Sequence, residues 1–180
     1  PFGILPISQD EHPLCPDRVR FIGDPVAAVA ATTEDAAAAA CDLIRVEYEV
    51  LDTIVDATYA LTHPTPQIHD YADVGNLHKV VALEFGDVEA GFREADVVRE
   101  DVVFYEGNTH LPMEQHAALA EIDHDGHLTL WSSTQTPHYL HRALAKVLGM
   151  PASRIRVIAT PNGGGFGGKS DPFNHEIVVA

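Results

Sequence analysis

The feature that most constrains the fold is a glycine-rich segment near the carboxyl end of the chain, residues 161–169, with the sequence PNGGGFGGK. Five of the six positions from 163 to 168 are glycine, which is unfavourable inside helices and strands but permits positive φ and close backbone approach. Residues 155–158 before it predict a strand, and residues 173–180 after it predict the start of a helix. This order predicts a loop whose main-chain N–H groups contact an anion or a polar cofactor. A glycine-rich turn without a ligand is the simpler alternative.

The loop does not match the familiar fingerprints for phosphate or for hydrolysis. It lacks the leading glycine and the lysine spacing of a P-loop, and it lacks the third glycine of the dinucleotide-binding pattern. The sequence also contains no nucleophile elbow and no Ser-His-Asp order, so nucleophilic hydrolysis has no support.

Charge and cysteine content restrict the partners. The chain has 11 Lys and Arg against 27 Asp and Glu, a net charge of −16, which disfavours nucleic-acid binding by phosphate neutralisation. Cys15 and Cys41 are far apart and in no metal-binding spacing, which indicates a reducing compartment and predicts a cytoplasmic protein without disulfides. No apolar stretch is long enough to cross a membrane, so we expect no membrane partner.

The amino-terminal part of the chain predicts a small strand–helix–strand unit. Strands are predicted at residues 18–21, 26–31 and 45–51, around an alanine-rich helix at 34–44 with Thr33 as its N-cap. Prolines and a glycine interrupt residues 52–77, and we place a linker at residues 59–77.

The remainder of the chain predicts a second mixed unit. Its predicted elements are a strand at 80–85, a helix from the N-cap Asp87 to 95, a strand at 97–105, a hairpin of 116–122 with 128–132, and a helix at 137–148 that Gly149 ends. The whole chain is therefore predicted to be α+β.

Two polar residues interrupt these patterns. Glu114 lies within a strand-like segment, where a buried carboxylate would need a partner and an exposed edge position would not. Gln135 precedes Thr136 and Pro137. The N-cap and first position of a helix explain Thr136 and Pro137. Capping does not explain Gln135, whose side-chain amide can both donate and accept hydrogen bonds. The eleven histidines show no metal-ligand spacing, so we predict no metal held by side chains.

Four segments together resemble one family. GDPVAAVA at 23–30, Met-Glu at 113–114, Ser-Thr-Gln at 133–135 and GGGFGGK at 163–169 are similar, in order and spacing, to the molybdenum-binding large subunit of the xanthine dehydrogenase/aldehyde oxidase family. The resemblance covers essentially all 180 residues. It implies that residues 1–58 are the C-terminal part of an α/β-hammerhead domain and that residues 78–180 begin a molybdopterin-binding domain.

The resemblance also implies the cofactors, the site and the partners. The cofactor would be molybdenum–molybdopterin in its cytosine dinucleotide form, with the metal held by the pterin dithiolene. Gln135 would be the catalytic residue and would hydrogen-bond an oxo ligand of the metal. Partner subunits would carry iron–sulfur clusters and FAD, in a dimer of heterotrimers. The implied cofactor-binding residues are Gln135, Gly164, Gly165, Phe166, Gly167 and Gly168.

Glycines suit this role because a Cβ would hold the backbone away from a bulky cofactor, and fixed N–H groups stabilise oxo charge without added cations. Purine-oxidising members carry a glutamate directly after the loop lysine, whereas Ser170 follows Lys169 here, which argues against a purine substrate. Residues 169–176 and the lead-in Leu5–Ser8 most resemble the 4-hydroxybenzoyl-CoA reductases. That resemblance implies reductive removal of a phenolic hydroxyl from an aromatic CoA thioester in anaerobic aromatic degradation.

Two alternatives remain: a molybdenum hydroxylase acting on an aldehyde or an N-heterocycle, and a non-catalytic module that uses the loop to bind a nucleotide or a partner. The chain starts without methionine and stops within an apolar run, so we expect part of a longer polypeptide that is inactive alone, with the general base downstream.

Overall fold

The computed structural model describes residues 1–3, 9–70 and 75–180, which form two compact units. One unit comprises residues 1–51 and 110–180, and the other comprises residues 52–109. The described helices are α1 (Glu34–Leu43), α2 (Ala57–Thr62), α3 (Val88–Glu94), α4 (Pro137–Leu148) and α5 (Asn174–Val179), with a 3-10 turn at Ala152–Arg154. The described strands are β1 (Ala118–Ile122), β2 (Leu128–Ser132) and β3 (Ile155–Ala159). The mixed α+β class is thus confirmed.

The three strands form one sheet in the order β1-β2-β3. The hairpin of β1 and β2 is antiparallel, and its turn is held by Asp123, whose carboxylate accepts the N–H groups of Asp125 and His127. Strands β2 and β3 are parallel and are joined through α4, as a parallel pair requires a crossover. Ser132 pairs with Ala159, so the chain leaves both parallel strands at the same edge of the sheet.

The core of the unit that comprises residues 1–51 and 110–180 lies between the sheet and its helices. Helix α4 packs against β3 and α5 packs against β1. Burial of a leucine side chain contributes about 1.5–3 kcal/mol, so the cluster of buried apolar side chains between the sheet and these helices stabilises the sheet. Its buried apolar members are Phe2, Leu128, Leu130, Leu140, Ala143, Leu144, Ile155 and Ile177.

Local signals set the helix ends. Thr33 accepts the N–H of Ala36 at 3.2 Å and Asp87 accepts that of Ala90 at 2.9 Å, which confirms both predicted N-caps. Gly149 ends α4 in the left-handed conformation at φ 63°. Thr136 occupies the N-cap position of α4 but makes no capping bond there, because its hydroxyl instead donates to the Ser170 carbonyl at 2.7 Å. Side-chain capping by Thr136 was therefore a wrong expectation.

Five predicted strands do not form. Residues 18–21, 26–31, 45–51, 80–85 and 97–105 contain no strand among the described residues. Their alternation indicates which side chains could share a face, but a strand also needs a hydrogen-bonded neighbour, and the pattern does not supply one. Within the described ranges, no helix has both the length and the apolar character needed to span a membrane.

Candidate functional site

The candidate site lies where the chain leaves the parallel strands β2 and β3. Ser132, Ser133 and Thr134 are buried at the end of β2, and Gln135 follows as an exposed residue. The glycine loop, residues 163–169, follows β3 after a short connection. Because the two strands end in register, Gln135 and the loop are brought together although they lie 28 or more positions apart in the sequence.

Gln135 is held by the last residue of the loop through two hydrogen bonds. Its N–H donates to the Lys169 carbonyl at 2.8 Å, and its Oε1 accepts the Lys169 N–H at 3.2 Å. The Ser170 hydroxyl also donates to Oε1, at 3.4 Å. The Nε2 group has no hydrogen-bond partner among the described residues, so Gln135 presents an oriented, neutral donor.

The loop itself turns sharply at its exposed aromatic residue. Phe166 and Gly167 have φ of 50° and 86°, and Gly168 N–H donates to the Gly165 carbonyl at 2.7 Å. Positive φ at both central positions is typical of a type I′ turn. A left-handed conformation costs a non-glycine residue about 1–2 kcal/mol, and the Phe166 side chain is nevertheless 77% exposed. Such strain at an exposed aromatic residue is typical of a functional turn.

Three glycines of the loop make close contacts with side chains elsewhere in the chain, and those side chains would have to move if a Cβ were added. A Cβ at Gly163 would lie 2.8 Å from Glu114 Cβ, a Cβ at Gly165 would overlap the Gln135 amide, and a Cβ at Gly168 would overlap the His110 ring. Gly167 differs, because a Cβ there would meet no described heavy atom within 4 Å. The loop therefore packs closely on one side and is open at the Phe166–Gly167 turn.

Glu114 has a partner that the sequence pattern did not reveal. Its Oε2 accepts the Lys169 ammonium at 2.5 Å and the Gly163 N–H at 2.9 Å. The hydrogen bond from Lys169, followed by that from Gly163, lowers the pKa of the Glu114 carboxyl below its ordinary value. The Lys169 ammonium also approaches Asn162 Oδ1 at 3.4 Å. The interruption at residues 113–114 was the available signal, but a partner 55 positions away cannot be read from it.

A cluster of aromatic rings supports the loop from the α5 side. His116 Nε2 donates to the Gly168 carbonyl at 2.9 Å, and its ring makes edge contacts with Phe173 and His175. His175 Nε2 is buried without a hydrogen-bond partner in the described chain. Burial, and secondarily the nearby His116, lowers the pKa of the His175 imidazole. Sequence reasoning did not identify this cluster.

Glu176 is a buried carboxyl at the base of the site. Its side chain accepts the Ser132 hydroxyl and, at 2.8 Å, the Phe173 N–H at the start of α5. Burial raises the pKa of the Glu176 carboxyl, although both hydrogen bonds oppose that change. Glu176 thus ties α5 to the end of β2. Searched over the described residues, the chain contains no cluster of three His, Cys, Asp or Glu side chains suited to a metal ion.

Comparison with known proteins gives two family matches. Residues 68–180 match the molybdopterin cofactor-binding domain, and residues 2–52 match the a/b hammerhead domain of aldehyde oxidase and xanthine dehydrogenase.

Individual relatives agree with these matches. The large molybdopterin subunit of nicotinate dehydrogenase from Eubacterium barkeri is 43% identical over 94% of this chain and 39% of its own length. The large subunit of nicotine 6-hydroxylase from Paenarthrobacter nicotinovorans is 35% identical over 92% of this chain and 20% of its own. The structure of the Cu,Mo-CO dehydrogenase superposes with a TM-score of 0.66 and 31% identity, over 81% of this chain and 20% of the other. The chain therefore spans well under half of these relatives.

Proposed function

The chain belongs to the xanthine dehydrogenase/aldehyde oxidase family of molybdopterin-binding large subunits, and from this premise we propose that it is part of the catalytic subunit of a molybdenum-dependent oxidoreductase. Its fold is the C-terminal piece of a hammerhead domain followed by a molybdopterin-binding domain. We place the linker between them at residues 59–77, with the two domains at 1–58 and 78–180.

One observation carries the proposal: the Nε2 donor of Gln135, which has no partner among the described residues, lies beside a glycine loop that is open at its Phe166–Gly167 turn. Donors of this kind are neutral, which suits a cofactor that brings its own metal ligands and needs hydrogen bonds from the protein. The molybdopterin, when bound, supplies the two-electron redox centre. The residues that we propose to hold it are Gln135, Gly164, Gly165, Phe166, Gly167 and Gly168.

The residues of the chain contribute orientation and close approach. Lys169 and Ser170 occupy Gln135 Oε1, so the amide is fixed with Nε2 outward and pays no reorganisation cost when it donates. Gly167 carries no Cβ at the open turn, so the main chain can lie directly against a bulky group. The exposed Phe166 ring offers an apolar surface beside these donors. We therefore expect Gln135 to be the catalytic residue of this segment.

The substrate is proposed from the relatives and from the loop. Two relatives are named for nicotinate and nicotine, which favours hydroxylation of an N-heterocyclic ring. Ser170 directly follows the loop lysine and lies close to Gln135, so this position offers a hydroxyl rather than a carboxylate. A carboxylate at this position would favour a cationic substrate, whereas the Ser170 hydroxyl does not favour a cationic substrate over a neutral one.

The second candidate is reductive dehydroxylation of 4-hydroxybenzoyl-CoA to benzoyl-CoA. It is supported by the sequence of residues 169–176, whose structure is described, and by Leu5–Ser8, which lie outside the described residues. Under this candidate electrons flow toward the substrate ring, so a low-potential donor is required.

Two assays on the full-length complex separate these functions. Stoichiometric molybdenum by elemental analysis supports the enzyme, whereas its absence supports the non-catalytic module. Oxidation of nicotinate or a similar ring without turnover of the CoA thioester supports the hydroxylase, and benzoyl-CoA formation supports the reductase. Nucleotide analysis of the released cofactor tests the cytosine dinucleotide form.

Two variants test the site assignment. We expect Gln135→Ala to lower turnover while molybdenum content is retained, because Gln135 contributes one donor. We expect Gly167→Val to lower molybdenum content, because its side chain would occupy the open turn and φ of 86° is strained for valine. If both variants keep full activity, the assignment is wrong.

We propose that electrons pass between the molybdenum centre and iron–sulfur and FAD subunits in a dimer of heterotrimers, and that the complex is cytoplasmic. Co-purification of tagged full-length protein with flavin and iron in fixed ratio to molybdenum tests the partners.

A further inference from the structure

We propose that Lys169 is a positioning residue: its ammonium closes the glycine loop through Glu114, and its main chain holds the Gln135 amide in its donor orientation. The inference rests on the proposed function, because it assigns a role to a residue beneath the cofactor-binding turn. Lys169 does not itself line the open face, since its side chain is only 1% exposed.

The first argument concerns loop closure. Gly163 and Lys169 are the first and last residues of the loop, and both donate to the same oxygen, Glu114 Oε2, at 2.9 and 2.5 Å. Hydrogen bonds to a charged group are roughly twice as strong as neutral ones. A single carboxylate oxygen therefore holds the two ends of the loop together.

The second argument concerns Gln135. Its N–H and its Oε1 both bond to the main chain of Lys169, so a displacement of Lys169 carries the amide with it. Asn162 adds a further connection, because its Oδ1 approaches the ammonium and its Nδ2 donates to the Ser133 carbonyl at 3.1 Å. The loop, the end of β2 and Gln135 are thus joined at one buried charge.

The third argument concerns the energetic role of the pair. The Glu114 side chain is 37% exposed, whereas that of Lys169 is almost fully buried, so desolvation of the ammonium offsets much of the attraction. Replacement of such pairs by apolar residues is often neutral for stability. A buried ammonium paired at this position is better explained by the conformation that the pair selects than by stability.

The test uses the full-length complex and three variants. Lys169→Met removes the charge, and the double variant Lys169→Met with Glu114→Leu removes both charges and leaves no ion unpaired. Lys146→Met is the matched control, since Lys146 is an exposed lysine of α4 whose ammonium contacts Gln9. Each protein is measured for thermal midpoint, for hydrogen exchange at residues 163–169, for molybdenum content and for the Mo(V) electron paramagnetic resonance spectrum.

We expect Lys169→Met to increase loop exchange by about ten- to a hundredfold, the factor that corresponds to loss of a hydrogen bond to a charged group. Molybdenum content should fall, and the Mo(V) spectrum of any bound cofactor should change. The double variant should recover the thermal midpoint but neither the loop protection nor the spectrum. Lys146→Met should match the wild type in all four measurements.

Two results would overturn the inference. One is a double variant that recovers loop protection, molybdenum content and spectrum together with the midpoint, because the pair would then be purely structural. The other is a Lys169→Met protein with wild-type loop exchange. If Lys169→Met does not accumulate, the double variant decides the question alone. A wild-type protein without molybdenum would refute the proposed function, whereas the exchange comparison would still decide the role of Lys169.

Discussion

Gly165→Ala provides a quantitative test of the contact between the loop and Gln135. Gly165 is buried and its φ is not positive, so alanine is compatible with the backbone. The added Cβ would nevertheless overlap the Gln135 amide, with Cγ at 3.0 Å. Because Gln135 is exposed, its side chain can rotate away, and the chain then loses the two hydrogen bonds to Oε1.

The expected cost follows from those bonds. Loss of the Lys169 and Ser170 donors should cost about 1–2 kcal/mol in unfolding free energy, since the bond from Ser170 is long at 3.4 Å. Replacement of glycine by alanine also stabilises the folded chain by about 0.4–1 kcal/mol, because alanine reduces the conformational entropy of the unfolded chain. We therefore expect a net destabilisation near 1 kcal/mol. In a Gln135→Ala background the overlap is absent, and Gly165→Ala should become neutral or stabilising.

The assay is a double-mutant cycle in which the unfolding free energy of each protein is measured by urea denaturation. Trp131, the single tryptophan of these 180 residues, lies on β2 four positions before Gln135 and reports unfolding of this unit by fluorescence. We expect a coupling energy of about 1–2 kcal/mol between positions 135 and 165. Gly167→Ala is the control, because its strain at φ of 86° involves no overlap and should be unaffected by Gln135→Ala. Additivity of the Gly165 and Gln135 substitutions within about 0.3–0.5 kcal/mol would refute the packing argument.

Two further predictions concern stability. Leu130→Ala, at a fully buried position in β2, should cost about 2–5 kcal/mol in urea denaturation, whereas Leu119→Ala, at a position 65% exposed on β1, should cost much less; equal costs would contradict the assigned core. His175→Phe should stabilise the chain by about 1–3 kcal/mol, because it removes the buried Nε2 that lacks a partner among the described residues. Since the folded chain lowers the pKa of His175, the unfolded chain binds more protons, and wild-type stability falls as the pH drops through the unfolded pKa of about 6.5. The advantage of His175→Phe, measured as the shift in thermal midpoint, should therefore be larger at pH 5.5 than at pH 7.5, and a constant advantage would refute this account.

Elements that depend on neighbouring residues were predictable. The caps at Thr33 and Asp87 act on N–H groups three positions later, and the hairpin turn closes on Asp123, so their signals lie within a few residues. The strand predicted at residues 45–51 failed for the opposite reason, because its existence depends on a pairing partner elsewhere in the chain. Thr136 failed as a cap because a distant acceptor, the Ser170 carbonyl, competes for its hydroxyl.

The features of the candidate site also fall into two groups, those that the sequence predicts and those that depend on the tertiary structure. The sequence alone identified Gln135 and the loop at 163–169, because an unexplained amide and a dense run of glycines are unusual within short segments, and their order matched a family. Only the tertiary structure showed how they meet: parallel pairing of β2 and β3 brings their ends to one sheet edge, where Lys169 holds Gln135 and Glu114 holds the loop. The physical reason is one of range. Backbone preference acts over a few residues, whereas the contacts that orient the donor cross 34 to 55 positions and exist only once the sheet has formed.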